Sequence, residues 1–450
     1  MNQENKMGIM PVGRLLITMS LPMILSMLVQ ALYNVVDSIF VAHYSQTALA
    51  AISYAFPAQN LMIGLATGIG VGMNALLSRS LGEKNYQKVN KTAENGIFLS
   101  LIGFIIFFIF GLFFSGTFIS FQTATAEIID CGKSYLSICC CASFGIFGEI
   151  IFERLMQSTG KTVLTMVTQG VGAIINIILD PIFIFGYLGL PEMGIAGAAL
   201  ATVIGQIAAF IIAIILNHKY NKEISLNLLQ FRPDRRIIGR ICAVGIPSVV
   251  MVGIGSIMTT AMNKILNGFS DLAASVFGIY FKLQSFVFMP IFGLNNGLIP
   301  IIAYNYGAGK RKRLISALIF ACVIAVGFMA VGLALMQFIP DQMLLLFDAT
   351  QEMLSIGRVA LRAISLSFVF AGFCIVVGAA FQALGYGTYS MFVSIARQLV
   401  VLIPVAYLFS LTGNLNMVWY AFPIAEIMSV IVSIALFIRI YKKVISKIPK

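Results

Sequence analysis

Residues 97–120 read IFLSLIGFIIFFIFGLFFSGTFIS, without one charged side chain. At about 1.5 Å of helical rise per residue such a run covers the roughly 30 Å of a bilayer's hydrocarbon core. A helix on the surface of a soluble protein keeps a polar face toward water, and this stretch has none to offer. Similar runs recur from one end of the chain to the other. Twelve spans are predicted, at 15–42, 48–77, 97–120, 133–157, 162–187, 194–217, 237–266, 272–303, 314–339, 355–383, 388–411 and 416–441. They are too long and too continuously apolar for barrel strands of about ten alternating residues, so the class is all-α and polytopic. The first run is too long for a cleaved signal peptide and lacks a small-residue cleavage pattern, so it is expected to remain as a helix.

Composition agrees. Of 450 residues, 59% are apolar and 10% charged, against roughly 25% charged in soluble chains, and the mean hydropathy is +0.96. A soluble enzyme and a disulfide scaffold are excluded. The net charge of +12 suggests nucleic acid at first, but its placement says otherwise. By position, 22 of the 29 Lys and Arg fall before the first span, in every second loop, after the last span, or, for Arg240 and Arg439, at a span end facing those segments, from Lys6 and Arg14 to Lys447 and Lys450. The alternate loops carry Glu127, Asp130, Glu192, Asp271, Asp341, Asp348 and Glu352. The positive-inside rule then puts both termini in the cytoplasm. The charge is a topology signal with some attraction for anionic lipids, and no nucleic-acid partner is needed.

One offset, 225 residues, aligns the chain with itself without gaps over several separated stretches. Pro22 falls on Pro247, Gln59 on Gln284, Gly68 on Gly293, Gly72 on Gly297, Gly82 on Gly307, Gln157 on Gln382 and Gly160 on Gly385. Each half then holds six spans and returns to the side on which it began, so the halves share an orientation and are expected to form two pseudo-symmetric lobes. The expected division is an N-lobe at 1–217, a polar cytoplasmic linker at 218–236 containing Pro233, and a C-lobe at 237–450.

The halves differ in their buried charges. Asp37 lies opposite Met262 and Asp180 opposite Val405. A carboxylate in a membrane helix costs several kcal/mol unless it meets a polar cavity or a proton, so its default reading is functional. In Asn176-Ile177-Ile178-Leu179-Asp180-Pro181 the spacing of four puts Asn176 and Asp180 on one helix face, and Pro181 frees the carbonyl of Ile177. Asp37 and Asp180 fall at a similar depth in the outer half, and Thr202 falls at about the depth of Asn176. The set is all oxygen, suited to a hard cation or to a shared proton. Pro22 precedes Asp37 in the first span and is a candidate hinge, although Pro247 gives it a scaffold role as well. Lys282, Arg397 and Glu426 fall near mid-depth in the second half, where mutual pairing is expected. Glu149 is expected to face a cavity, and Glu153 and Arg154 to be interfacial.

Other motifs are structural. Cys139, Cys140 and Cys141 are consecutive and cannot share one ligand, and His43 and His218 are too far apart in topology to form a catalytic pair. The run Gly64, Gly68, Gly70, Gly72 has no following Lys-Ser/Thr and reads as close helix packing. No ATP-binding domain, cofactor motif or catalytic dyad is visible, so an enzyme is not expected and energy must come from an ion gradient.

Four features together identify a resemblance: Ser20-Leu21-Pro22 followed by Asp37, the Asn176–Pro181 segment, Gly197-Ala198-Ala199-Leu200-Ala201-Thr202, and the Gly82 loop. The chain resembles, over almost its whole length, the multidrug and toxic compound extrusion (MATE) family of the flippase superfamily that also handles lipid-linked saccharides. It is most similar to the bacterial branch holding the damage-inducible and staphylococcal pumps. The resemblance implies lobes that form a V around a central cavity and rock between outward-open and inward-open states. It also implies a monomer in the bacterial cytoplasmic membrane that exports amphipathic, often cationic compounds against H⁺ or Na⁺. It places the coupling ion at Asp37, Asn176 and Asp180, with Thr202 beside them, and no other metal. Another branch has acids on helices 7 and 10, which these spans lack. The alternative is a flippase for lipid-linked saccharides, for which Lys282 and Arg397 are the candidate pyrophosphate contacts.

Overall fold

The computed structural model describes residues 4–227, 230–347 and 349–448, and places the backbone of the apolar runs in helices, as hydrocarbon demands of every N–H and C=O. Twelve spans result: α1 (Val12–Tyr44), α2 (Gln46–Gly82), α3 (Tyr86–Phe113), α4 (Ala126–Cys141 with Phe144–Ser158), α5 (Thr162–Phe185), α6 (Ile195–Tyr220), α7 (Arg235–Asn267), α8 (Asp271–Gly307), α9 (Arg311–Phe338), α10 (Gln351–Ser365 with Phe368–Ala383), α11 (Gly387–Ser410) and α12 (Leu415–Lys447). Asp348 and Lys450 lie outside the described residues.

The bounds of α2, α3, α4, α5 and their counterparts α8, α9, α10, α11 differ by 225 at both ends, the offset of the sequence repeat. Local chemistry repeats with them. Ser45 Oγ caps α2 by accepting from Thr47 N (3.1 Å) and Ala48 N (3.4 Å), and Ser270 Oγ caps α8 by accepting from Ala273 N (3.1 Å). Lys84 and Gly309 share the left-handed backbone (φ 56° and 69°) that ends α2 and α8. Two expected spans are not straight: α4 bends by 44° across Ala142–Ser143 and α10 by 46° across Leu366–Ser367, within one residue of the repeat register. Apolar periodicity carries no mark of such breaks. The third run also shifts, since α3 starts at Tyr86 and stops at Phe113, and Ser115–Ser120 forms a separate short helix. The eleventh span contains a π-helical stretch, Ala396–Leu402, where its counterpart α5 is regular.

The two halves meet where α1 packs on α8 and α2 on α7. Glycine permits the approach: a Cβ on Gly68 would lie 2.7 Å from Gly245 O, and one on Gly293 would lie 2.6 Å from Ile24 Cα. Toward the ends of α2 and α8 the contact is reciprocal, with Gly82 on the Tyr304 carbonyl and Gly307 on the Arg79 carbonyl. Tyr304 is the repeat counterpart of Arg79, so one contact is the image of the other.

The basic loops gather at this same face. Asn5 Nδ2 donates to Thr159 O (3.0 Å) and Glu223 Oε1 (2.7 Å), while Asn305 Nδ2 donates to Met7 O (3.1 Å). Lys161 pairs with Glu223 (3.4 Å), and Arg79 stacks 4.5 Å over the Tyr306 ring. The N-terminal segment thus ties both halves together at the basic face.

Gly307→Ala is expected to destabilise the protein by about 1–3 kcal/mol through overpacking at a backbone contact, read as a lower thermal midpoint in detergent. Gly255→Ala, whose Cβ would meet nothing within 4 Å, is the control. Equal midpoints for the two variants would remove the close inter-half contact from the account.

Candidate functional site

Packing of α1 along α5 brings Asp37 to Asp180 near the ends of these helices at the acidic face. Asp180 is fully buried and Asn176, one turn earlier, is 3% exposed. The two carboxyl groups lie within hydrogen-bonding reach of each other. Asn176 Nδ2 donates to Asp180 Oδ1 and to Thr202 Oγ1, both at 3.3 Å, and the Thr202 hydroxyl donates to Ala198 O at 3.0 Å. Thr202 therefore holds the Asn176 amide, leaving its oxygen free. Three buried oxygens of this group, Asp37 Oδ1, Asn176 Oδ1 and Asp180 Oδ2, accept no hydrogen bond among the described residues. Neither aspartate has an ion-pair partner among those residues. Adjacent carboxylates with no counter-cation repel strongly in low dielectric, and donor-free oxygens are costly to bury. A proton or a small hard cation between them relieves both costs.

Beside this group, a cavity of about 600 Å³ lies between the halves. Asp37 and Asp180 do not line it, whereas Asn176 and Thr202 do, so these two side chains form the partition between cavity and carboxyl pair. Tyr33, Glu149 and Gln206 line the first half's side, and Asn295, Gln382 and Arg397 the second half's. Glu149 faces the cavity, as expected, and accepts no hydrogen bond among the described residues.

The expectation that Glu153 and Arg154 are interfacial is corrected: they are 3% and 7% exposed and line the cavity. Polar neighbours make this burial tolerable. Glu153 accepts from Thr168 Oγ1 and Gln169 Nε2, both at 2.7 Å, and Arg154 Nη1 donates to Gln157 Oε1 (2.7 Å) and across the inter-half contact to Asn296 Oδ1 (2.9 Å). Thr168, Gln169 and Asn296 escaped the sequence reading because neutral polar residues are common in spans and nothing marks one as a partner.

A second correction concerns Lys282. Arg397 Nη1 does donate to Glu426 Oε1 at 2.8 Å, but Lys282 joins neither and lies exposed with Nζ 5.7 Å from the Phe347 ring. Depth alone grouped the three; helix rotation separates them. Pro22 is buried within α1, and Pro247 holds the matching place in α7. Gly68 and Gly72 are packed on the backbone of α7, as the glycine run implied. All seven cysteines are free, and no cluster of three or more His, Cys, Asp or Glu suited to a metal occurs among the described residues.

Comparison with known proteins places this arrangement. The chain is 28% identical to the multidrug export protein MepA of Staphylococcus aureus over 92% of its own length and 91% of the relative's. It superposes on a MATE crystal structure in the straight conformation with a TM-score of 0.92 at 26% identity, covering 99% of each chain. It superposes on one in the bent conformation with a TM-score of 0.90 at 26% identity, covering 97% of this chain and 96% of that one. The MatE family model matches twice, at residues 22–182 and 247–408. The two matches begin 225 residues apart, in the register of the internal repeat, and with them this multi-pass membrane chain belongs to the MatE family.

Proposed function

We propose that the protein is a cation-coupled multidrug efflux antiporter, exporting amphipathic, often cationic compounds in exchange for H⁺ or Na⁺. One observation carries the coupling: donor-free buried oxygens on the neighbouring carboxyl groups of Asp37 and Asp180, next to a third on Asn176, which with Thr202 stands between them and the large cavity. An ion arriving at Asp37 and Asp180 competes for the oxygen atoms to which the Asn176 amide is bound. The amide turns, the cavity wall changes, and α1 adjusts about Pro22, which cannot complete the helical bond to Thr18. The compound is then released to the outside.

The relatives support this reading within limits set by their names. MepA is a multidrug export protein, and MATE structures exist in straight and bent conformations. One monovalent ion entering down about 150 mV supplies roughly 3.5 kcal/mol, enough for a gradient of a few hundred-fold without ATP. A saccharide-lipid flippase fits less well. A pyrophosphate needs several converging cations, whereas Arg154 is engaged with Gln157 and Asn296 and Lys282 lies away from the cavity. We place the protein as a monomer in the bacterial cytoplasmic membrane with both termini inside, its only cofactor-like requirement being the coupling ion.

In proteoliposomes with ΔpH and ΔNa⁺ imposed separately, at least one gradient should drive counterflow of a cationic dye. Asp37→Asn and Asp180→Asn should each abolish it while the protein stays folded; wild-type rates in either variant would dismiss the carboxyl pair as the coupling site. Thr202→Val, which removes only the support of Asn176, should weaken the dependence on ion concentration about fivefold, the worth of roughly one neutral hydrogen bond. Loss as complete as that of Asp180→Asn would make Thr202 a ligand instead. For orientation, a cysteine introduced at Lys312 should resist an impermeant maleimide in intact cells, and one at Glu192 should react.

A further inference from the structure

The cavity is built from repeat-related positions, so its two walls can be compared residue by residue. Position 149 is Glu in the first half, and its counterpart 374 is Cys; position 172 is Gly, and its counterpart 397 is Arg. All four line the cavity. Glu153 and Arg154 also line the first wall but are held by Thr168, Gln169, Gln157 and Asn296, so the duplication has left one acid without a side-chain partner among the described residues on that wall and a guanidinium on the other, each at a position whose repeat counterpart is uncharged.

The guanidinium is built to receive something. Arg397 sits in the π-helical stretch Ala396–Leu402, a distortion that frequently marks functional sites. Its side chain keeps 25% of its exposure, and one contact, from Nη1 to Glu426 Oε1, is its only protein hydrogen bond among the described residues. Of five N–H donors in a planar fork, the others have no acceptor there. Glu426 does not line the cavity, so the carboxylate supports the guanidinium from behind. Ser429, one turn beyond Glu426 on α12, also lines the cavity, and its hydroxyl is buried without a partner. A half-used guanidinium fork on the same cavity as an unengaged hydroxyl, which stands one turn along α12 from the fork's own carboxylate, suits a planar oxyanion, above all a carboxylate.

We infer that Arg397 and Ser429 form a carboxylate subsite on the second half's wall, facing the acid Glu149, and that the cavity accepts amphipathic zwitterions with the amine toward Glu149 and the carboxylate toward Arg397. The inference deepens the transport reading, since it rests on this cavity being where the exported compound binds.

Tetramethylrhodamine, a zwitterion at neutral pH, and its methyl ester, a monocation of nearly the same shape, isolate the carboxylate. Binding to the full-length protein in nanodiscs is followed by fluorescence polarisation, so a failure of ion-driven transport would count against the antiport reading and leave this measurement intact. In Arg397→Gln/Glu426→Gln, which removes both charges together and leaves no unpaired buried ion, the zwitterion should lose about tenfold or more in affinity while the ester stays within about twofold. Glu149→Gln should weaken both dyes. Equal losses of zwitterion and ester in the double variant would mean that it merely disturbs packing, and unchanged zwitterion affinity would mean that Arg397 meets no carboxylate; either overturns the subsite. A lipid phosphate is the competing source of an oxyanion. If native mass spectrometry finds phosphatidylglycerol bound to wild type and lost from the double variant, with zwitterion binding unaltered, the lipid is the occupant and the inference fails.

Discussion

Everything in this structure hangs on two helix crossings at which backbone touches backbone. α2 meets α7 through Gly68, Gly72 and Gly245, and α8 meets α1 through Gly293 and Gly297. In a bilayer there is little hydrophobic drive to bring helices together, so close van der Waals approach through small residues must hold the halves. The reciprocal contacts of Gly82 with Tyr304 and Gly307 with Arg79 draw the halves together at the basic face. A cavity remains between them.

Upon that symmetric frame the chemistry is asymmetric. Duplication supplies two equivalent bundles, down to matching bends in α4 and α10 and matching left-handed residues at 84 and 309. Function requires the bundles to differ. The first half carries the carboxyl pair Asp37 and Asp180, where the second has Met262 and Val405. The second carries Arg397 with Glu426, where the first has Gly172 and Ala201. A carboxyl pair with no counter-cation among the described residues beside the cavity and a guanidinium on the opposite wall give the two halves two different kinds of charge.

Much of this was legible in the residues. Hydropathy gave twelve spans because a bilayer demands one length of every helix, and the offset of 225 recurs at the helix ends themselves. The Asn176–Asp180 face followed from helical periodicity, and the structure hydrogen-bonds that pair. Less legible were positions where a helix departs from regularity: the bends at Ala142–Ser143 and Leu366–Ser367, and the π-helical turn around Arg397, have no apolar signature. Depth along the helix puts Glu153 and Arg154 near the interface, but the Thr, Gln and Asn side chains that bury them come from other helices and leave no mark on that depth.

By itself, the sequence determined the solvent, the number of the helices, their duplication, and which buried charges belong to one half alone. Those properties follow from transfer energies and from one-dimensional spacing, which need no knowledge of neighbours. Only the tertiary structure decided which charges meet: Arg397 takes Glu426 and leaves Lys282 outside, and Thr202 secures Asn176. Depth along a helix can be counted from its end. The direction in which a side chain points is fixed by packing between residues dozens to hundreds of positions apart, and that is set by the fold as a whole.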